Sequence, residues 1–351
     1  MTRAAPKKAG PRAPVKRVTS RKQKVDPPPK SPAKAPVKAA PKATEAQKRA
    51  ALATVAEATR QKLWGSEGQP LTTVEGVTIA SALLTRGRPH WHLLTFGMGL
   101  SGFELSLRVL KAKDELAAPA WAVTLLRLLI ERAKTGDLTC DTNQVMLLSE
   151  GIAPGTDSEH FGLVFTPDPE AGALVTPYES VPVLLAVPVT RDEAKAVREW
   201  SPTGLVEVLS RVDPLLISDL DRPSLLQSPR ARMLIDQRME KEGSSLAGVR
   251  ATVSQVSKVG PTITWTLSAD AVDNLTSLLK GRIGHLRPFS IVSGSTRVEV
   301  LNADAPGVEL GPDQLTLKLT LVAARQLRSL VRARPGTYTF DLLPNFALVV
   351  C

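Results

Sequence analysis

Between Arg88 and Leu110 the chain reads RPHWHLLTFGMGLSGFELSLRVL, and two strand patterns flank a glycine-rich turn. His90, Trp91 and His92 lead into the apolar run Leu93–Phe96. After the turn, Phe103, Leu105, Leu107 and Val109 alternate with Glu104, Ser106 and Arg108. A period of two marks half-buried strands, so this stretch predicts a hairpin. The turn, from Gly97 to Gly102, spells G-x-G-x-x-G. A dinucleotide site would need a helix after those glycines, to offer free N–H groups to the pyrophosphate. An alternating strand follows instead, so the glycines are read as turn residues.

The same patterning gives the other elements. A helix runs from Thr44 to about Leu63 and is broken by Gly65 to Gln69; Leu71 to Thr85 reads as strand or mixed structure. A helix follows Pro119, with Leu125, Leu128 and Leu129 on its apolar face, and Gly136-Asp137 ends it. Gln144–Leu148 and Phe161–Phe165 read as strands, and Pro177–Val189 as a β run whose Pro182 and Pro188 call for edges or bulges. A helix starts at Arg191, is interrupted by Pro202 and resumes over Leu205–Val212; Leu215–Ser218 is a short strand. Further on come strands at Ile263–Leu267, Phe289–Val292, Arg297–Leu301, Leu315–Leu321, Thr337–Leu342 and Ala347–Val350. Helices are expected at Ala269–Arg282 and Ala323–Arg334, and turns at Asn302–Gly307 and Leu343–Asn345. The class is α+β: two mixed-sheet domains packed with helices, 45–248 and 249–351, preceded by a Lys/Pro/Ala-rich tail, 1–44.

Charge separates that tail from the body. Thirteen of the 45 Lys and Arg residues and one of the 34 acids fall in residues 1–44, giving +12 there and −1 over the rest. The sequence pI of about 9.8 therefore describes the tail, and the body has no basic bias toward nucleic acid. With many prolines and no aromatic residue, the tail is expected to be disordered. It is either a solubilising leader or a salt-sensitive contact for nucleic acid without base stacking. It has no apolar signal core, and no segment of the chain is long and apolar enough to span a membrane. Two distant cysteines, Cys140 and Cys351, suit a reducing compartment, so a cytoplasmic protein is expected.

Candidate chemistry is sparse. His90 and His92 lie two apart on a strand and share a face, a spacing that can bind zinc, but no third ligand stands near. No metal or cofactor is expected, and the pair is read as strand packing or a polar network. No Gly-x-Ser-x-Gly elbow occurs, and Asp219 and Asp221 are read as closing a turn, although a spatial triad leaves no sequence trace. Arg282, His285 and Arg287 cluster between a helix and a strand. They form either structural hydrogen bonds or a clamp for a carboxylate, since arginine offers a bidentate fork.

These residues carry a resemblance. His90-Trp91-His92, Thr95-Phe96-Gly97 and Gly102-Phe103-Glu104-Leu105 with Arg108 resemble the Suppressor of Fused family. So do Pro119-Ala-Trp121, Thr176-Pro177-Tyr178, the Trp200–Gly204–Leu209 helix, Leu216-Ile217-Ser218-Asp219, and Gly243-Ser-Ser245-Leu246-Ala-Gly248-Val249. Gly281-Arg282, His285, Arg287 and Phe289 follow in order. The likeness spans about Leu63 to Cys351, without the family's GGxDPLD segment. It implies a non-enzymatic binding protein that holds a peptide between two domains, partly by strand addition. The family's peptide-binding Asp and His match Asn143 and Gln144, a family Cys matches Cys140, and a family Tyr falls at Glu131. The animal partner's peptide is therefore not the expected ligand. The candidates facing the cleft are Asp141, Asn143, Arg282, His285 and Arg287. An Arg-, Ala-, Pro- and Val-rich composition suggests a GC-rich bacterial genome, and bacterial relatives are thought to be immunity proteins that neutralise a toxin domain. That is the expected role. Its rivals are a nucleic-acid-associated regulator acting through the tail and a hydrolase or metalloenzyme using His90 and His92.

Overall fold

The computed structural model of the protein describes residues 43–136, 138, 140, 142, 144–312 and 314–351. All but the last two residues of the tail, together with Asp141 and Asn143, lie outside the described residues.

Helix α1 (Glu45–Trp64) begins where expected. Thr44 and Gln47 exchange a reciprocal pair of side chain–backbone bonds, and Gly65, at φ 59°, ends it. The capping box satisfies N–H groups that the first turn leaves free. Strands β1 (Gln69–Val74) and β2 (Val77–Leu84) form a hairpin. Its two turn residues, Glu75 and Gly76, both have positive φ, matching the twist of the paired strands. β3 (His90–Phe96) and β4 (Glu104–Leu110) are the antiparallel hairpin read from the alternation. Then come α2 (Ala120–Lys134), β5 (Val145–Leu147), β6 (His160–Pro167), β7 (Ala173–Val175) and β8 (Ser180–Thr190). α3 (Arg191–Glu199) and α4 (Pro202–Ser210) follow. Pro202 opens the second helix, where its missing N–H costs nothing.

The first sheet has the order β1-β2-β3-β4-β8-β6-β5, with β7 also on β8. Both prolines of β8 sit where that strand is paired on one side only. Pro182 faces β7, and Pro188 faces β6 beyond the Val183–Leu185 stretch that pairs with β4. α2 covers one face over Leu93, Leu105 and Leu107. α1 lies on the other, over Ala80, Ala82 and Leu94. Expected strand Leu215–Ser218 reduces to a single bridge, Ser218 to Val109. Leu216 is held at φ 53° there, incompatible with an extended run.

Helix α5 (Pro229–Glu242), absent from the sequence reading, packs only Ile235 fully into the core. The remaining elements are β9 (Gly248–Arg250), β10 (Ser254–Val259), β11 (Thr262–Leu267), α6 (Ala269–Gly281), β12 (Phe289–Ser293) and β13 (Thr296–Asn302). They are followed by β14 (Gly307–Leu310), β15 (Gln314–Leu319), α7 (Leu321–Leu330), β16 (Gly336–Phe340) and β17 (Leu343–Val350). These strands make two sheets where the sequence suggested one: β14-β15-β13-β12-β9 and β10-β11-β17-β16. β11 and β15 bury alternate residues only, so each sheet has one apolar face. The two faces share a core with α6 and α7 around Trp265, Leu317 and Leu348. α7 stops at Leu330, short of the expected Arg334. Leu343-Pro344-Asn345 lies inside β17, whose pairing with β11 starts only at Phe346 and so leaves the proline unchallenged.

Candidate functional site

The glycine-rich turn between β3 and β4 does bind a carboxylate, but an internal one. Glu104 Oε1 accepts from the Gly97 and Gly99 N–H groups at 2.9 and 3.0 Å, and Oε2 accepts from the Thr95 hydroxyl at 2.8 Å. The N–H groups that a phosphate would need are therefore occupied. Burial pushes the Glu104 carboxyl up to about 7 against these bonds.

His90 and His92 share a face, as the spacing requires, and both are buried. The Trp64 indole of α1 donates to His92 Nδ1 at 3.1 Å, so the ring's proton must sit on Nε2, which faces Asp168 Oδ2 at 3.4 Å. Burial holds the His92 ring below its ordinary pKa, which agrees with a neutral imidazole. Asp168 in turn accepts from Arg108 at 2.8 Å, from Ser106 at 2.7 Å and from the Glu170 and Ala171 N–H groups. Arg108 also reaches Glu170 at 2.7 Å. The cluster is a polar layer between α1 and the sheet, with all of its members but Glu170 buried. Among the described residues no three His, Cys, Asp or Glu side chains are grouped to hold a metal.

An open cleft lies elsewhere, between the first sheet and the five-stranded sheet. β5 is the last strand of the first sheet and β9 the last of the five-stranded sheet. Between them is a cavity of about 600 Å³, lined by both strands and by Arg132 of α2, Arg198 of α3 and Arg250 of β9. None of these three guanidinium groups makes a hydrogen bond among the described residues, and no described lining residue is a carboxylate. Burial lowers the Arg198 pKa, and Asp273 partly offsets it. Gln144, Asn274 and Ser290 add neutral polar groups. Two edges with unpaired backbone groups can each accept a strand, and the cations favour an acidic one. The pattern along the sequence did not signal these arginines, because three different elements supply them.

Residues 73–223 match the family model of Suppressor of fused protein (SUFU). Over that stretch the chain is similar to the Suppressor of Fused family. The human and mouse Suppressor of fused homologs are each 28% identical to it over 187 residues, 46% of this chain and 38% of theirs. The chain thus matches well under half the length of these curated relatives. The crystal structure of Drosophila Suppressor of Fused superposes with a TM-score of 0.60 at 17% identity, covering 78% of this chain and 88% of that one. That likeness is one of fold.

The Suppressor of Fused motif residues at the junction between the two halves are engaged as follows. Arg282 gives Nε to the Pro288 carbonyl at 2.9 Å and one Nη to the Ser244 carbonyl at 3.0 Å. The Ser244 N–H donates to the Gly281 carbonyl at 2.6 Å, and the Ser245 N–H to that of Trp200 at 2.6 Å. A Cβ on Gly243 would stand 2.5 Å from the His285 ring, which lies half-buried over it. Arg287 is exposed beside Arg282. Burial lowers the Arg282 pKa and the Arg287 charge lowers it further. Arg282, His285 and Arg287 are thus brought together, but they do not line the cleft between β5 and β9. Gln144 does line it.

Proposed function

We infer that the chain is a non-enzymatic binding protein that takes an extended, acidic segment of a protein partner as an added strand between β5 and β9. The observation that carries this reading is that two sheet-end strands and three arginines, without a hydrogen bond from their guanidinium groups among the described residues, line one cleft. Backbone bonds to the edges would supply affinity, and the guanidinium groups would select carboxylates. Arg287 does not line this cleft, and Asp141 and Asn143 lie outside the described residues, so the proposed charged contacts are those of Arg132, Arg198 and Arg250. Neutralising a toxin domain by direct binding in the cytoplasm is the role we propose for such a cleft. The division of the body near residue 248 belongs to the same proposal, because it puts one edge in each part.

The test uses the full chain with a photo-cross-linking residue at Leu147, the half-exposed end of β5. The partner recovered by cross-linking is then titrated against Arg198→Glu and Arg250→Glu proteins. Each reversal is expected to weaken binding by at least tenfold, and raised salt should weaken the parent as well. Reversals that bind like the parent would place the partner on another face. Loss of toxin protection in cells carrying either reversal would support the immunity role.

A further inference from the structure

A second cavity, of about 140 Å³, lies beneath the segment 213–219 and shares no residue with the cleft. Its walls are mostly apolar, with Val187, Leu209, Ile217 and Leu225 among them. Two buried polar side chains also line it: His160, 1% exposed, and Ser218, 6% exposed. Among the described residues, His160 Nε2 and Ser218 Oγ are both without a hydrogen-bond partner.

The tautomer of His160 follows from its neighbours. Ser158 Oγ donates its proton to the Leu220 carbonyl at 3.3 Å, and it lies 3.0 Å from His160 Nδ1. With the Ser158 proton assigned to the Leu220 carbonyl, Nδ1 is the donor to that hydroxyl and Nε2 is a bare lone pair. Burial, with help from the Arg222 charge, lowers the ring's pKa to about 4, so it stays neutral at physiological pH. A buried acceptor and a buried hydroxyl left unpaired are rare in a native fold and ask for an occupant.

The surroundings restrict that occupant. The charged groups on the wall are already paired: Arg88 with Asp213 and Asp219, and Arg222 with Glu193. Two arginines face three carboxylates, so no surplus positive charge is left to attract an anion. The volume is close to that of an engineered cavity of about 150 Å³ that takes up benzene. The cavity is also built at a cost. Leu216, a bulky residue, is held at φ 53°, and the Asp213 carboxylate fixes it there by accepting from the N–H groups of Leu215 at 3.0 Å and Ile217 at 3.3 Å. Strain of this kind gathers where a site is being shaped. The half-exposed Arg88 and the exposed Val212 mark where the cavity meets solvent.

We propose that this cavity is a binding site for a small neutral ring compound bearing one hydroxyl, of the size and type of a simple phenol. The hydroxyl donates to His160 Nε2 and accepts from Ser218 Oγ, while the ring fills the apolar volume. The site is independent of the peptide cleft and stands or falls separately from it.

The test is histidine-ring NMR on the full chain, which has only four histidines to resolve. His160→Asn assigns the His160 signal. Titration with 4-methylphenol is expected to shift that signal saturably. Toluene, of the same shape without the hydroxyl, is expected to bind about tenfold more weakly, because it leaves the acceptor bare. Ser218→Ala should keep the fold and weaken 4-methylphenol binding several-fold, so the test survives if His160→Asn fails to fold. N-acetyltyrosinamide in a parallel titration tells a free phenol from a tyrosine side chain: its binding assigns the site to either source, and its failure beside a positive 4-methylphenol result assigns it to a free molecule. A His160 signal that neither ring moves, or that both move alike, would overturn the proposal; the first result would mean that the cavity holds only water.

Discussion

Replacing Asp168 with alanine should be among the most destabilising single changes in the first sheet. The carboxylate accepts from the Arg108 guanidinium, the Ser106 hydroxyl and two backbone N–H groups. Arg108 is wholly buried and would keep only Glu170, a partly exposed partner. Breaking a buried ion pair by removing one member typically costs about 3–5 kcal/mol, because the other charge remains desolvated. Against a total of roughly 5–15 kcal/mol, that is a large share. At roughly 2 °C per kcal/mol for a large domain, Tm should fall by about 6–10 °C in thermal unfolding followed by circular dichroism at pH 7. Adding Arg108→Met to Asp168→Ala removes the stranded cation, so the double variant should be more stable than the single one. The acid limb adds a second check. Burial alone would raise the Asp168 carboxyl, but His92 and Arg108 outweigh it and hold it below the usual carboxylate range. A depressed folded pKa contributes stability that is complete above the unfolded value of about 3.9 and is lost as pH falls toward the folded one. Asp168→Ala should therefore flatten the stability profile below about pH 4. A single variant within about 1 kcal/mol of the parent, or a double variant weaker than the single, would refute the claim that this layer is held by paired charge.

Other predictions rest on separate features. Glu104 has a folded pKa raised to about 7, above the unfolded value of about 4.3. Its contribution is therefore greatest below about pH 4.3 and declines as pH rises through 7, so Glu104→Gln should remove that slope in urea titrations between pH 4.5 and 7.5. Trp64→Phe leaves His92 Nδ1 buried without its donor and should cost about 1–3 kcal/mol, read by urea unfolding. Gly281→Ala would set a Cβ 2.5 Å from the Glu199 carbonyl oxygen and 2.7 Å from Ser244 Cβ. It should destabilise by about 1–3 kcal/mol in spite of the better helix former, and a stability equal to the parent's would show that α3 and α6 can part freely.

The hairpin at 88–110 was legible because alternation and a glycine cluster are local signals, and both strands carry them without interruption. The shared face of His90 and His92 followed from the same period. What surrounds them did not, since Asp168 and Glu170 approach from a loop 60 residues further on, and Trp64 from the end of another helix. Helix α5 escaped notice because PRARMLIDQRMEKE buries a single residue completely, too few for an apolar stripe. β5 and β9 are three residues long, below the length at which alternation can be read. A cleft between two domains was expected only from family resemblance, with other residues facing it, and the three arginines that line this one were not singled out.

That division of labour bears on what the resemblance can carry. Many motif residues are tied to close approach or internal pairing. Gly281 lets the Glu199 carbonyl in, Gly243 lies under His285, Gly204 leaves room for the Trp200 ring 2.3 Å from where its Cβ would be, and Glu104 fills the N–H groups of its own turn. Such positions hold the same scaffold together whatever it binds. Arg132, Arg198 and Arg250 belong to none of the motifs that carry the likeness, yet they set the charge of the cleft. The motifs therefore speak for the fold, and the partner has to be sought from the cleft's own chemistry. A partner segment with carboxylates spaced to meet three guanidinium groups is the specific expectation, and an uncharged or basic segment recovered from the cleft would contradict it.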